Sequence, residues 1–274
     1  MKLAVTMVKE AAAQAPLVLR GDYTDSIRKA AQIGYDAVEL HGADPSEVDV
    51  SEVRAACDAT GVGMSSIGTG LAWVRDGLSL TSRDEEVRGR AIARLRNFIH
   101  LGAEFGSVVI VGLIKGLVNE SENRNEYDRH LTGALEACLA VARESGVTLV
   151  LEAMNRYESD VLNTIEECVR TIEQFDSAHL KLHIDTYHMN IEEDRIGRNI
   201  MAAGKHVGHV HVADSHRGYP GTGHYNFAET IAALKAVGYQ GALAVECLAK
   251  PTAEVAAQGA YDAMRAVLEG NPTA

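Results

Sequence analysis

Apolar and polar positions along this chain follow two alternating periods. Short runs rich in β-branched residues read as buried strands, and longer stretches with one apolar face read as amphipathic helices. In order, the pattern predicts strand 2–7, helix 23–33 closed by Gly34, strand 36–41, and a helix capped by Ser51 and stopped by Gly61. Strand 63–67 follows, then the loop Gly68-Thr69-Gly70, helix 84–105, strand 107–113 and helix 120–145, ending at Gly146. The second half keeps the rhythm, with strand 147–152, helix 164–175 and strand 180–185. A looser segment, 192–203, is helical from about Arg195 and leads into strand 207–212. Helix 227–237, strand 242–247 and helix 253–268 complete the pattern, leaving residues 269–274 as a frayed tail.

Eight strand–helix units at roughly 30-residue spacing predict a (β/α)8 TIM barrel, whose usual size is about 250 residues. No Pro-, Gly- or Ser-rich linker divides the chain, so residues 1–274 read as one domain. The structural alternative is a doubly wound open sheet, which would carry a glycine-rich turn after the first strand. Here that position reads Val8-Lys9-Glu10-Ala11.

Composition narrows the function. With 46% apolar but only 5% aromatic residues, the core is aliphatic and alanine-rich. A net charge of -12 argues against nucleic acid or an anionic membrane as partner. The four cysteines form no CxxC pair and read as free thiols of a reducing cytoplasm. The opening MKLAVTM lacks the apolar stretch of a signal peptide, and no run approaches the length of a membrane helix, so a cytoplasmic protein is expected.

Candidate chemistry sits at the strand ends. In a barrel these open onto one face, where active sites are built. Glu152 closes the fifth strand, Asp185 the sixth and Glu246 the eighth, while His211 lies near the end of the seventh. Three carboxylates converging without a cation repel one another and take up protons, and a divalent ion removes that conflict. The oxygen-rich donor set favours Mn²⁺, with Mg²⁺ or Co²⁺ as alternatives. Glu158, His188 and Arg217 flank these positions as candidate substrate contacts, although Glu158 and Arg217 also suit a surface ion pair and His188 a support for Asp185. His183, His206 and His209 read as structural, with His209 below the metal by strand alternation. Trp73, in the loop after the third strand, and His224, after a Gly-Thr-Gly turn, are weaker candidates for the mouth of the site.

The segments LEAMNRYES, IDTYHMNIEE, HVHVADSHRGYPGTGH and AVECL resemble the xylose-isomerase-like sugar isomerase and epimerase superfamily over nearly the whole chain. Within it, the metal-ligand segments look like the ketose 3-epimerases of the tagatose/psicose type. The resemblance implies that Glu152, Asp185, His211 and Glu246 bind the metal, that Glu152 and Glu246 also move the proton, and that Glu158, His188 and Arg217 hold substrate oxygens. IGTGLAWVRDGLSLT, VVIVGLIKG and VADSHRGYPGTGHYNF look more specifically like epimerases of keto sugar acids, of the 5-keto-L-gluconate/D-tagaturonate type. There Lys115 would meet the substrate carboxylate. Departures are Lys115-Gly116 in place of an Arg-Gly pair, His216-Arg217-Gly218 in place of Asn-Arg-Trp, and a first loop, residues 8–13, without the aromatic residues usual in ketose 3-epimerases.

The expected reaction is epimerisation next to a ketone through an enediolate stabilised by the metal, with one glutamate removing the proton and the other returning one to the opposite face. The main expectation is a keto sugar or keto sugar acid as substrate. Alternatives are a 3-epimerase of free ketoses, an aldose–ketose isomerase and a keto-inositol dehydratase. A DNA-repair endonuclease is opposed by the charge, and a non-catalytic sugar-binding barrel by the two glutamates. The resemblance also implies a homodimer or homotetramer.

Overall fold

The structure, a computed structural model, describes residues 1–270. Its sheet runs β1 (Lys2–Val8), β3 (Ala37–His41), β4 (Gly63–Gly68), β5 (Val108–Val111), β6 (Leu149–Glu152), β7 (Leu180–Asp185), β8 (Val207–Val212) and β9 (Ala242–Val245), with β2 (Leu19–Arg20) an added pair of residues beside β1. All pairings are parallel. β9 returns to β1, with Lys2 opposite Ala242 and Val5 opposite Val245. That closure makes the fold a (β/α)8 TIM barrel and excludes the open sheet.

The helices form the outer layer: α1 (Tyr23–Ile33), α2 (Val50–Thr60), α3 (Gly70–Asp76), α4 (Glu85–Phe105), α5 (Arg124–Ser145), α6 (Ile165–Ile172), α7 (Thr186–Glu192), α8 (Ile196–Ala203), α9 (Phe227–Ala236) and α10 (Ala253–Leu268). Along each strand alternate residues face opposite ways. The outward set, including Val38, Leu40, Ile67, Val109, Leu151, Ile184, Val210 and Val245, is buried within the main apolar cluster. Four alanines, Ala4, Ala37, Ala242 and Ala244, form a separate small cluster. Above them the barrel interior is polar, with Thr6, Glu39, Ser66, His183 and His209 buried. Large aliphatic side chains therefore hold the helices on, and the lumen is left for chemistry.

The structure corrects several expected boundaries. α2 is capped by Asp49, whose carboxylate accepts from the backbone N–H groups of Ser51 and Glu52 at 3.0 Å each, so Ser51 is already inside the helix. α5 starts at Arg124 after an Asn123 cap, and Glu120 belongs to a preceding 3-10 turn. Residues 113–115 leave the strand as another 3-10 turn, and α6 is shorter than the expected 164–175. α3 and α7, both short and directly after strands, were hidden in stretches read as loop. At the C-terminus, Glu269 and Gly270 bond back to Arg265 and Val267; the rest of the expected frayed tail lies outside the described residues.

The Asp49 cap is testable. Asp49→Ala should lower the urea unfolding midpoint measurably, and Ser51→Ala by much less. Equal losses would return the capping role to Ser51.

Candidate active site

Strand register brings the candidate residues to one level. Glu152 ends β6 opposite His183; Asp185 ends β7 opposite His211; and Glu246 directly follows β9, its N–H donating to Val212 O at 3.2 Å. Glu152, Asp185 and His211 each place a ligand atom within 4.8 Å of the others. Glu246 falls outside that group and gathers with Glu39 and His41 instead, yet its Oε2 is 3.3 Å from the same His211 Nδ1 that faces Asp185. Two glycines make room for this cluster. A Cβ on Gly112 would fall 2.3 Å from Glu152 Oε2, and one on Gly68 2.3 Å from the His41 ring.

The sequence reading missed the residue beneath the cluster. Glu39, fully buried on β3, accepts from His41 Nε2 at 2.6 Å, His209 Nε2 at 2.7 Å, His211 Nε2 at 2.8 Å and Ser66 Oγ at 2.5 Å. An acid inside the strand AVELH, two residues before a histidine, was the available signal. Since His211 Nε2 points at Glu39, the ring proton belongs there. Its Nδ1 is then left facing Asp185 Oδ2 at 3.7 Å and Glu246 Oε2 at 3.3 Å, buried and without a hydrogen-bond partner. Burial opposes the charged ring, but Glu39 and Glu246 outweigh it and hold the His211 pKa well above its ordinary value. An orphaned ring nitrogen among carboxylates fits either a proton or a divalent cation.

Arg217 supplies positive charge beside the same carboxylates. Its guanidinium donates to Asp185 Oδ2 at 2.5 Å and to Glu246 Oε2, and lies 4.8 Å over the Tyr187 ring. Burial works against ionised Asp185, but Arg217, His188 and His211 together hold it well below the carboxylate range. The backbone at Arg217 is left-handed, φ 65°, a conformation that is strained for a residue with a Cβ. Asp214 organises the loop that imposes it, accepting from the N–H groups of Ser215, Gly221 and Tyr225.

His188 lies on α7 with its Nε2 3.6 Å from Glu152 Oε1. Its Nδ1 accepts from Asn155 Nδ2 at 2.7 Å, and the same amide donates to Glu158 Oε1 at 2.8 Å. Asn155, fully buried, is the second residue the sequence reading left without a role. Burial raises the Glu152 pKa, but His183 and His188 bring it down to about 2, so Glu152 is a carboxylate. Glu152, Glu158, His188, His211, Arg217 and Glu246 all line one cavity of about 140 Å³, with Leu71, Val74 and Leu113 also in its wall.

Three weaker candidates fall elsewhere. Trp73 is on α3, not in a loop, and its indole donates to Glu120 Oε1 at 2.9 Å, away from the cavity lining. His224 is exposed and pairs with Ser215 Oγ at 3.0 Å. Lys115 is 1% exposed, its ammonium 3.0 Å from Met154 Sδ. Met154 lines the cavity; Lys115 stands behind it. His209 does lie below His211, as strand alternation predicted. His183 packs on both rings, with centroids 5.0 and 4.1 Å away.

A closed barrel with carboxylates and imidazoles gathered at its C-terminal mouth is the architecture of one large group of proteins. The chain belongs to that group, the xylose isomerase-like TIM barrel family, whose model matches residues 27–267. It is 36% identical to an L-ribulose 3-epimerase of Mesorhizobium japonicum over 78% of this chain and 72% of that protein. It is 29% identical to a 3-dehydro-D-guloside 4-epimerase of Escherichia coli, over 81% and 86% of the two chains. The crystal structure of a D-psicose 3-epimerase with D-tagatose from Clostridium cellulolyticum superposes with a TM-score of 0.82 at 25% identity, covering 98% of this chain and 99% of that one. Among the described residues, no helix is long and apolar enough to cross a membrane.

The interior Lys115 yields a stability prediction. Burial lowers its pKa, with Glu152 only partly opposing. The folded state thus disfavours the ammonium, and that penalty is full below the folded pKa. It is relieved as pH rises from the folded pKa towards 10.5, the unfolded value. Lys115→Met should therefore be more stable than the parent at pH 7, by an amount that shrinks near pH 10. A variant less stable at pH 7 would show that the ammonium is stabilised where it lies.

Proposed function

We propose that the chain is a 3-epimerase of free ketoses, with a divalent cation held by Glu152, Asp185, His211 and Glu246. The observation that carries this reading is the orphaned Nδ1 of His211, buried between Asp185 and Glu246 and oriented by Glu39 from behind. The names of the matched relatives, an L-ribulose 3-epimerase and D-psicose 3-epimerases, support the substrate class. The keto sugar acid reading has less support, because the matched relatives are named for free ketoses and a keto-guloside, and Lys115, the residue expected to meet the carboxylate, is outside the cavity lining. Oxygen donors with one imidazole suit Mn²⁺, Mg²⁺ or Co²⁺.

Bound there, a divalent cation supplies a Lewis acid that polarises the substrate ketone. Glu152, ionised, removes the proton from the carbon beside the ketone; Glu246, which the free protein holds as a carboxylate, takes up a proton before it returns one to the other face. The two approach from β6 and the end of β9, three strands apart around the barrel. In the reverse direction they exchange roles. His188 and Arg217 stabilise charge developing on the substrate oxygens, and Asn155 keeps His188 and Glu158 in place.

Either Glu152→Gln or Glu246→Gln should lower kcat on ribulose or psicose by about a hundred- to ten-thousandfold, while substrate binding persists. In D₂O the wild-type product should carry deuterium at C3. Full activity of one variant would remove that carboxylate from the chemistry, and a product unlabelled at C3 would move the reaction to another carbon.

Cation uptake has its own signature. His211 must surrender its second proton to bind, so calorimetric titration with Mn²⁺ near pH 7 should show release of about one proton and weaker binding at lower pH. Binding that is independent of pH would exclude His211 as a ligand.

A further inference from the structure

The catalytic cavity has an apolar wall as well as a charged one. Strand order puts β4 and β5 across the barrel from β8 and β9. The segments that follow β4 and β5 bring Leu71, Val74 and Leu113 into the lining. Leu71 and Val74 lie one turn apart on α3, a helix of seven residues. So short a helix has little stability of its own, and its place is set by what grips it. Trp73, between them in sequence, bonds to Glu120 and stays out of the lining.

We propose that Glu120 is a positioning residue for the distal end of the substrate: by gripping the Trp73 indole it fixes α3, and with it the apolar wall that limits the length of ketose accepted. The inference rests on the epimerase reading of the site and narrows its substrate class. Three observations carry it. First, Glu120 gathers three separate stretches of chain. Its Oε1 accepts from the Trp73 indole N–H at 2.9 Å, and its Oε2 from Ser79 Oγ at 2.5 Å and the Leu117 N–H at 3.2 Å. Hydrogen bonds to a carboxylate are roughly twice as strong as those between neutral groups. The far end of α3 has a second tie, Asp76 to Arg94 of α4 at 2.7 Å. Loss of Glu120 therefore loosens the helix without detaching it.

Second, the junction is built around this carboxylate. Gly116 has φ 78°, and a Cβ there would collide with Ser79 Oγ, Thr81 Oγ1 and Glu120 Oε2. The turn that carries Leu113 is fastened to the same strip, with Thr81 Oγ1 donating to Lys115 O at 3.0 Å and the Leu80 N–H to Ile114 O at 2.9 Å. Third, the rest of the apolar rim is held by other means. Ala15, Pro16 and Leu17 also line the cavity, and the backbone there is wrapped around one guanidinium. Arg20 donates to the carbonyls of Ala11, Ala12, Ala13, Ala15 and Leu17 at 2.8–3.4 Å. Releasing Glu120 thus frees α3 and the turn beside it, and leaves that rim and the carboxylate cluster where they are.

The test uses the Mn²⁺-loaded enzyme and ketoses of increasing length: L-ribulose, D-psicose and sedoheptulose. Trp73 is the only tryptophan, so its fluorescence reads the grip without turnover. Glu120→Ala should make the indole about twofold more accessible to acrylamide. It should raise KM for psicose about fivefold with kcat nearly unchanged, and shift kcat/KM about tenfold towards sedoheptulose relative to psicose. Glu120→Gln, which keeps an acceptor oxygen for the indole, should stay within about twofold of wild type on all three measures. Trp73→Phe, which lacks the N–H, should reproduce the kinetic shifts and serves if Glu120→Ala does not fold. An unchanged length preference in either Glu120→Ala or Trp73→Phe would overturn the inference and leave the epimerase reading standing. So would quenching of Trp73 that ignores the loss of Glu120. A wild-type enzyme inactive on all the ketoses would sink the epimerase reading, and this inference with it.

Discussion

The buried carboxylate of Glu39 is the contact on which the rest of this barrel depends. An anion deep in a protein is costly unless its lone pairs are matched. Here three imidazoles and one hydroxyl match them, drawn from β3, β4 and β8. The arrangement does two things at once. It lets the lumen be polar without leaving the acid unpaired, and it fixes which nitrogen of His211 faces the mouth. Had the lumen been filled with Leu and Ile, as barrel interiors often are, there would be nothing to orient that ring.

Above this layer, charge balance is achieved by interleaving. Glu152 is set against His183 and His188, and Asp185 and Glu246 against Arg217 and His211. Each carboxylate therefore stays ionised in a place where burial alone would protonate it. The supporting parts are backbone features: a left-handed turn at Arg217, an Asp214 that gathers three amides, and glycines where any side chain would strike Glu152 or His41.

Much of this was legible in the chain. Strand ends are written in apolar runs that stop at Glu152 and Asp185, and the glycines Gly34, Gly61 and Gly146 mark helix ends as expected. What stayed hidden was hidden for physical reasons. Glu39 falls inside an expected strand, but its role is invisible until two of its three histidines are seen to arrive from 170 and 172 residues away. Lys115 reads as a site cation through the resemblance, where it stands in place of an arginine, and only packing shows it turned towards Met154. α3 and α7 are too short for periodicity to register, so Trp73 was placed in a loop and its bond to Glu120 could not be foreseen. The caps erred by a residue or two because Asp49 and Ser51 are both good capping types, and only geometry separates them.

The wrapping of residues 11–17 around Arg20 has a wider implication. A segment whose course is dictated through its carbonyls asks almost nothing of its side chains. Such a stretch can drift in sequence while the fold is conserved, as long as the one arginine at its centre survives. The rim of this barrel thus contains a place where selection could retune what enters without disturbing how the reaction is done.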